Sequence, residues 1–120
     1  MKIDHKLDAI LQPLRITPGW CVDFNRFTIL DPAIETAGYF YGTELFSASN
    51  RSSSKEIKLC FEPEGDPNGQ YVLSFYKVKW NSHTKSPDFT LIRSILSTSR
   101  TEIVEAIEIF MSIEVTCPHE

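Results

Sequence analysis

The sequence predicts an α+β fold, in which an antiparallel sheet of four to five strands packs with a C-terminal amphipathic helix and a short N-terminal helix. Several runs alternate apolar and polar residues with a period of two, as strands with one buried face do. Short turn-forming stretches separate these runs, and short links between strands favour antiparallel pairing. Near the end of the chain the apolar positions repeat at helical spacing instead. With 120 residues and 42% hydrophobic content, we expect one domain over 1–120.

The N-terminal stretch "IDHKLDAILQPL" predicts the short helix. Asp4 can cap its start, and Pro13 should end it because the residue before a proline disfavours the α conformation. Its apolar stripe consists of Ile3, Leu7, Ile10 and Leu11.

Two strand candidates follow, each with an irregularity. "WCVDFNRFTIL" alternates from Trp20 onward, but its apolar face changes phase at Asn25 and Arg26. We expect a bulge or a tight turn at that point. "YFYGTELFSAS" is the second candidate, and Gly42 within it marks a bulge or a close approach of another segment.

Three further runs predict more regular strands. "IKLCF" places Ile57, Leu59 and Phe61 inward, and "FTLIRSILS" is the last strand. Between them, "QYVLSFYKVKW" has apolar residues on both faces of its first half, which predicts a central strand that is partly covered on both sides. One of its faces carries Val72, Tyr76, Val78 and Trp80, and the other carries Tyr71, Leu73 and Phe75 followed by Lys77 and Lys79.

The closing segment "SRTEIVEAIEIFMSI" predicts the amphipathic helix. Ser99 is followed three residues later by Glu102, which is the spacing of a capping box. Glu105 and Glu108 lie outside the apolar stripe, and "TCPHE" is predicted to be a frayed tail. The stripe itself consists of Ile103, Ala106, Ile107 and Phe110.

Charge and cysteine usage narrow the choice of partners and compartment. Twelve basic against sixteen acidic residues give a net charge of -4, so nucleic acid is a poor partner and a basic protein is a better one. The three cysteines, Cys21, Cys60 and Cys117, are widely spaced, which fits reduced thiols and a cytoplasmic location. There is no secretory h-region, and no apolar run approaches the roughly 20 residues that a membrane helix needs.

Catalytic and metal-binding motifs are missing from the sequence. It contains no G-x-S-x-G, no glycine-rich phosphate loop and no Cys-x-x-Cys. The histidines, His5, His83 and His119, do not accompany a plausible nucleophile. We therefore expect a protein that is not an enzyme and that carries no metal or cofactor.

The acidic stretch "CFEPEGDPNGQYVL" is the main candidate site, with Glu62, Glu64 and Asp66 at every second position. Asp66 and Asn68 resemble part of a calcium loop, but strands flank the stretch and the twelve-residue register is missing. Two interpretations remain open. The stretch is either the polar tip of a hairpin, because "EGDPNG" is dense in turn formers, or a patch that binds a basic partner.

Aromatic residues supply further candidate contacts. Core packing explains most of them. Tyr39, Tyr41 and Trp80 lie at predicted strand ends instead, and tyrosine and tryptophan are enriched at interface hot spots. The predicted partner-binding set is therefore Glu62, Glu64, Asp66, Asn68, Tyr39, Tyr41 and Trp80.

Three segments, "PGWCVDFNRFTILDP", "FEPEGDPNGQYVL" and "SRTEIVEAIEIF", resemble those of the small immunity proteins of bacterial contact-dependent growth inhibition and related polymorphic toxin systems. The resemblance implies a role in binding a cognate toxin domain, often a nuclease, and blocking its activity. Such a partner presents a basic surface, and we expect a monomer or a weak homodimer. The alternatives are a structural or adaptor protein that pairs through a sheet edge, and a small-ligand protein or enzyme whose site is built from distant residues.

Overall fold

The computed structural model describes residues 10–42 and 44–116, with side chains up to residue 113. It confirms the α+β class: a five-stranded antiparallel sheet in the order β1-β2-β3-β4-β5 and one C-terminal helix. Each strand pairs with its sequence neighbour, as the short connections predict. The elements are β1 (Cys21–Asn25), a 3-10 helix (Ala37–Phe40), β2 (Phe46–Asn50), β3 (Lys55–Glu62), β4 (Gln70–Asn81), β5 (Ser86–Ser97) and α1 (Arg100–Thr116).

The inward face predicted for β3 is confirmed, because Ile57, Leu59 and Phe61 are buried, and its register shows which face of β4 joins it. Phe75 lies opposite Ile57, and Leu73 lies opposite Leu59. Because both partners of each pair point to the same side of the pleat, one face of β3 and β4 becomes a continuous apolar layer. Helix α1 and the segments before β2 cover that layer, and the shared core includes Trp20, Phe27, Phe40, Leu45, Phe61, Tyr71, Ile103, Ile107 and Met111.

Helix α1 begins with the predicted cap, although the second half of the capping box differs. The backbone N–H of Glu102 donates to Oγ of Ser99 over 3.2 Å. The Glu102 carboxylate does not return to the Ser99 N–H; it accepts a hydrogen bond from the Ser97 hydroxyl. The Ser99 N–H donates to that same hydroxyl oxygen over 3.0 Å, so Ser97 relays the contact.

The first two strands differ in detail from the prediction. The irregularity in β1 lies between Val22 and Phe24 and not at Asn25 and Arg26. Strand β2 begins only at Phe46, because residues 37–40 form a 3-10 helix and Gly42 has a φ of +94°. A positive φ breaks an extended chain, so the "YFYG" part of the predicted strand cannot continue into β2.

The predicted N-terminal helix is not confirmed. Residues 3 to 9 of its span, with His5, lie outside the described residues, as do Cys117 and His119. Ile10, Leu11 and Gln12 are not helical: Leu11 forms a bridge with Thr28, and the Gln12 N–H donates to the Phe27 carbonyl over 2.8 Å. Within residues 10–116, no helix has the length and apolar character needed to cross a membrane.

Candidate functional site

The acidic tip is the β3–β4 connection, which carries Glu62, Glu64, Asp66 and Asn68. It is a turn held by hydrogen bonds within the connection. The Asn68 N–H donates to Oδ1 of Asp66 over 2.8 Å, and the Gly69 N–H donates to the Asp66 carbonyl over 2.8 Å. The first bond is an Asx turn, in which an aspartate side chain takes the place of a backbone acceptor. The predicted hairpin tip is therefore present, and one oxygen of Asp66 helps to hold its shape.

A second segment, residues 40–42, is hydrogen-bonded to the acidic tip. The Gly65 N–H donates to the Phe40 carbonyl over 2.9 Å, and the Gly42 N–H donates to Oε1 of Glu64 over 2.9 Å. The first bond joins two backbones, and the second recruits one of the acidic side chains. The tip thus has two ties to a segment more than twenty residues earlier, which restricts its conformations before any partner binds.

Tyr41 and Arg26 add further contacts that hold this segment and the acidic tip in place. The Tyr41 ring lies so close to Gly65 that a Cβ there would come within 2.6 Å of its Cε2 atom. The Arg26 guanidinium donates to the backbone carbonyls of Tyr39 and Tyr41. A Cβ on Gly42 would collide with that guanidinium. Both glycines therefore permit close packing as well as a positive φ, which is +72° at Gly65.

The negative charge extends from the acidic tip onto the neighbouring strands. Burial, followed by the carboxylates of Glu44 and Glu62, raises the pKa of Cys60. Burial also raises the pKa of Glu56; Lys58 opposes this effect, while Asp23 and Glu44 add to it. Asp23 and Glu44 come from β1 and from the segment before β2, and no spacing in the sequence relates them to the tip. The structure thus places Glu44 near Cys60 together with Glu62, and Asp23 near Glu56 further along β3, and sequence reasoning missed both carboxylates.

The structure brings only part of the predicted partner-binding set together. Tyr41 is exposed beside the acidic tip, whereas Tyr39 is half-buried against the core. Trp80 is 63% exposed, but it stands at the other end of β4. Glu62 pairs with Gln70, and the strand from Gln70 to Trp80 spans roughly 33 Å. Trp80 therefore belongs to a second surface.

That second surface includes a shallow groove of about 470 Å³ beside Trp80. Val78, Pro87 and Phe89 form its apolar side together with Trp80. Its polar side comes from the β2–β3 turn and the start of β3, with Asn50, Arg51, Ser54, Lys55 and Glu56.

Chemical groups for catalysis or metal binding are sparse in the described part of the chain. Among residues 10–113, no three His, Cys, Asp or Glu side chains are grouped so that they could hold a metal ion. His83 lies in the β4–β5 turn, where its N–H donates to Oδ1 of Asn81 over 2.9 Å. Cys21 and Cys60 are free thiols on β1 and β3.

Comparison with known proteins gives no relative for this chain. No protein-family model, curated protein or solved structure matches it. What the protein binds must therefore follow from the chemistry of its own surface, which offers a braced acidic tip and, far from it, an aromatic face.

Proposed function

We propose that the protein is a toxin-neutralising immunity protein whose acidic tip binds a basic surface of a cognate toxin domain and blocks it. The observation that carries the proposal is the bracing of the tip: Glu64 and Gly65 are hydrogen-bonded to residues 40–42, and Asp66 closes its own turn. A surface that is ordered before binding loses less conformational entropy in the complex.

The tip has the chemistry that a phosphate-binding cleft recognises. A nuclease holds its substrate with arginine and lysine, because phosphate groups must be neutralised. Carboxylates form charge-assisted, often bidentate hydrogen bonds with arginine and can therefore occupy the place of phosphates. Glu62 and Glu64 are exposed, and Glu44, which acts on Cys60 together with Glu62, adds to the negative potential. Such a field also accelerates encounter with a basic partner.

The proposal is tested with the toxin domain encoded directly upstream, co-expressed with this chain. We expect growth rescue and a stable complex. Absence of both rescue and complex formation would overturn the immunity function.

The tip is tested separately with the isosteric variant Glu62→Gln, Glu64→Gln, Asp66→Asn. These substitutions remove three charges but keep the acceptor for the Gly42 N–H and the Asx turn. Affinity should fall by about 100-fold or more, and its salt dependence should weaken. The matched control removes three exposed carboxylates elsewhere, at Glu35, Asp88 and Glu105, and should change affinity less than about threefold. Equal losses in both triple variants would place the binding site outside the acidic tip.

A further inference from the structure

The sheet has a second face that no described element covers. It is called the uncovered face and consists of Val72, Tyr76, Val78 and Trp80 on β4 with Phe89, Leu91 and Leu96 on β5. Leu91 is 54% exposed and Leu96 is 59% exposed. These residues lie in register, with Val78 opposite Phe89, Tyr76 opposite Leu91 and Val72 opposite Leu96. They form two apolar groups on one surface, separated by the hydrogen-bonded pair Ser74 and Ser94, and extended apolar surfaces mark interaction sites.

The far end of the β4–β5 hairpin is patterned as though one face were buried. Lys77 and Lys79 point to the side opposite Val78 and Trp80. Lys55 lies directly across from Lys77 and joins the lysine side. A hairpin that is exposed to water on both faces does not require apolar and charged residues to alternate, whereas a hairpin with one covered face does.

The aromatic groups of the uncovered face are already packed against one another. The rings of Tyr76 and Phe89 meet edge to face with centroids 6.0 Å apart. The Lys58 ammonium lies 5.4 Å from the centroid of Phe89. A face whose side chains are held in this way is prepared for a partner, since little rotamer freedom remains to be lost.

The charges on this face are self-complementary. Glu56 and Lys58 project from β3 on the same side as Tyr76, and their side chains lie 3.9 Å apart. In a two-fold interface every contact between two different residues occurs twice, so if Glu56 of one copy faces Lys58 of the other, Lys58 of the first also faces Glu56 of the second. A second copy of this chain supplies the complementary acid–base pair, so the two charges need not be left unpaired in the interface.

The size of the face also fits a second copy. Three strands, β3 to β5, lie about 4.8 Å apart and over about eight residues rising about 3.3 Å each, so they project roughly 380 Å². Protruding side chains increase the accessible area towards the roughly 800 Å² per partner that stable interfaces bury. Two sheets can pack face to face at about 10 Å, as in a β-sandwich.

We propose that the protein forms a two-fold symmetric dimer in which the uncovered faces of two sheets pack against each other. Pairing through the outer edge of β5 is disfavoured, because its register shifts opposite Phe75 and Tyr76 and Pro87 lies at its start. The residues of the acidic tip are not among those that define the uncovered face, so this proposal does not depend on the toxin.

The dimer is tested by light scattering of the whole chain over two orders of magnitude in concentration. We expect a mass approaching twice 13.7 kDa. Leu91→Lys should weaken dimerisation at least about tenfold, because it buries an unpaired charge. Ile34→Lys changes a loop position that is 82% exposed and lies outside the uncovered face, so it should leave dimerisation unchanged. A monomer at every concentration, or equal dimerisation by both variants, would overturn the proposal.

A charge exchange gives a second test that does not require Leu91→Lys to fold. Glu56→Lys and Lys58→Glu should each be monomeric, since each places like charges across the two-fold axis. An equimolar mixture of the two variants should dimerise again, because every contact then joins opposite charges. Circular dichroism verifies that both variants fold. A mixture that stays monomeric while wild type dimerises would show that Glu56 and Lys58 do not meet across the axis.

Discussion

The backbone N–H of Gly42 donates a hydrogen bond to Oε1 of Glu64 over 2.9 Å, across a sequence separation of 22 residues. This bond joins the segment after the 3-10 helix to the acidic tip. Because Glu64 is one of the proposed binding carboxylates, the same side chain both braces the tip and contributes its charge. Stability of the tip and affinity for a partner are therefore coupled through this residue.

Gly65→Ala should destabilise the protein by about 1 to 3 kcal/mol, because φ is +72° there and the added methyl would meet the Tyr41 ring. Thermal unfolding should show this as a lower Tm, by roughly 4 °C or more. The matched control is Gly38→Ala, where a Cβ has nothing within 4 Å. A Tm loss at Gly38 as large as that at Gly65 would contradict the proposed packing of Tyr41.

Tyr71→Phe should preserve stability or raise it by about 1 kcal/mol. The Tyr71 hydroxyl is buried and has no hydrogen-bond partner among the described residues. An unsatisfied buried hydroxyl carries a desolvation cost, which phenylalanine removes while the ring contacts with Phe27 and Phe61 remain. Denaturant unfolding measures the difference. Tyr41→Phe, at an exposed site, should be neutral; a clear loss of stability in Tyr71→Phe would indicate a bonded hydroxyl.

Tyr71 should also make stability depend on pH in the alkaline range. Burial, with a smaller contribution from Asp31 and opposition from Arg100, raises the pKa of Tyr71 from 10.0 to about 12. Above pH 10 the phenol ionises in the unfolded chain but stays neutral in the folded one, so stability falls as pH rises from 10 towards 12. Unfolding curves of Tyr71→Phe across this window should fall less steeply than those of wild type. Parallel curves would count against the raised pKa.

Ser97→Ala should lower stability by about 1 to 2 kcal/mol. It removes the hydroxyl that links the Glu102 carboxylate to the Ser99 N–H at the start of α1. Thermal unfolding and helical circular dichroism provide the measurement. Thr98→Ala, at the exposed adjacent position, is the matched control and should change stability by less than about 0.5 kcal/mol. Equal effects at the two positions would rule out the relay.

The segment "YFYG" was predicted to begin a strand, and its structure differs from that prediction. Its aromatic residues have strong β propensity, but residues 37–40 form a 3-10 helix. The turn places the centroid of the Phe40 ring 4.7 Å from that of Phe61 and 6.2 Å from that of Tyr71. Burial of that ring in the core outweighs the local preference for an extended chain.

The sequence by itself determined the inward face of β3, the capped start of α1 and the turn after Glu62. Each of these follows from a period of two, a three-residue spacing or a cluster of turn formers, which act over a few neighbouring residues. Only the tertiary structure decided that Gly42 braces Glu64, that Glu44 adds its charge near Glu62, and that Trp80 stands far from the acidic tip. Those relationships depend on packing between segments distant in the chain, and alternation alone cannot say which face of a sheet a helix will cover.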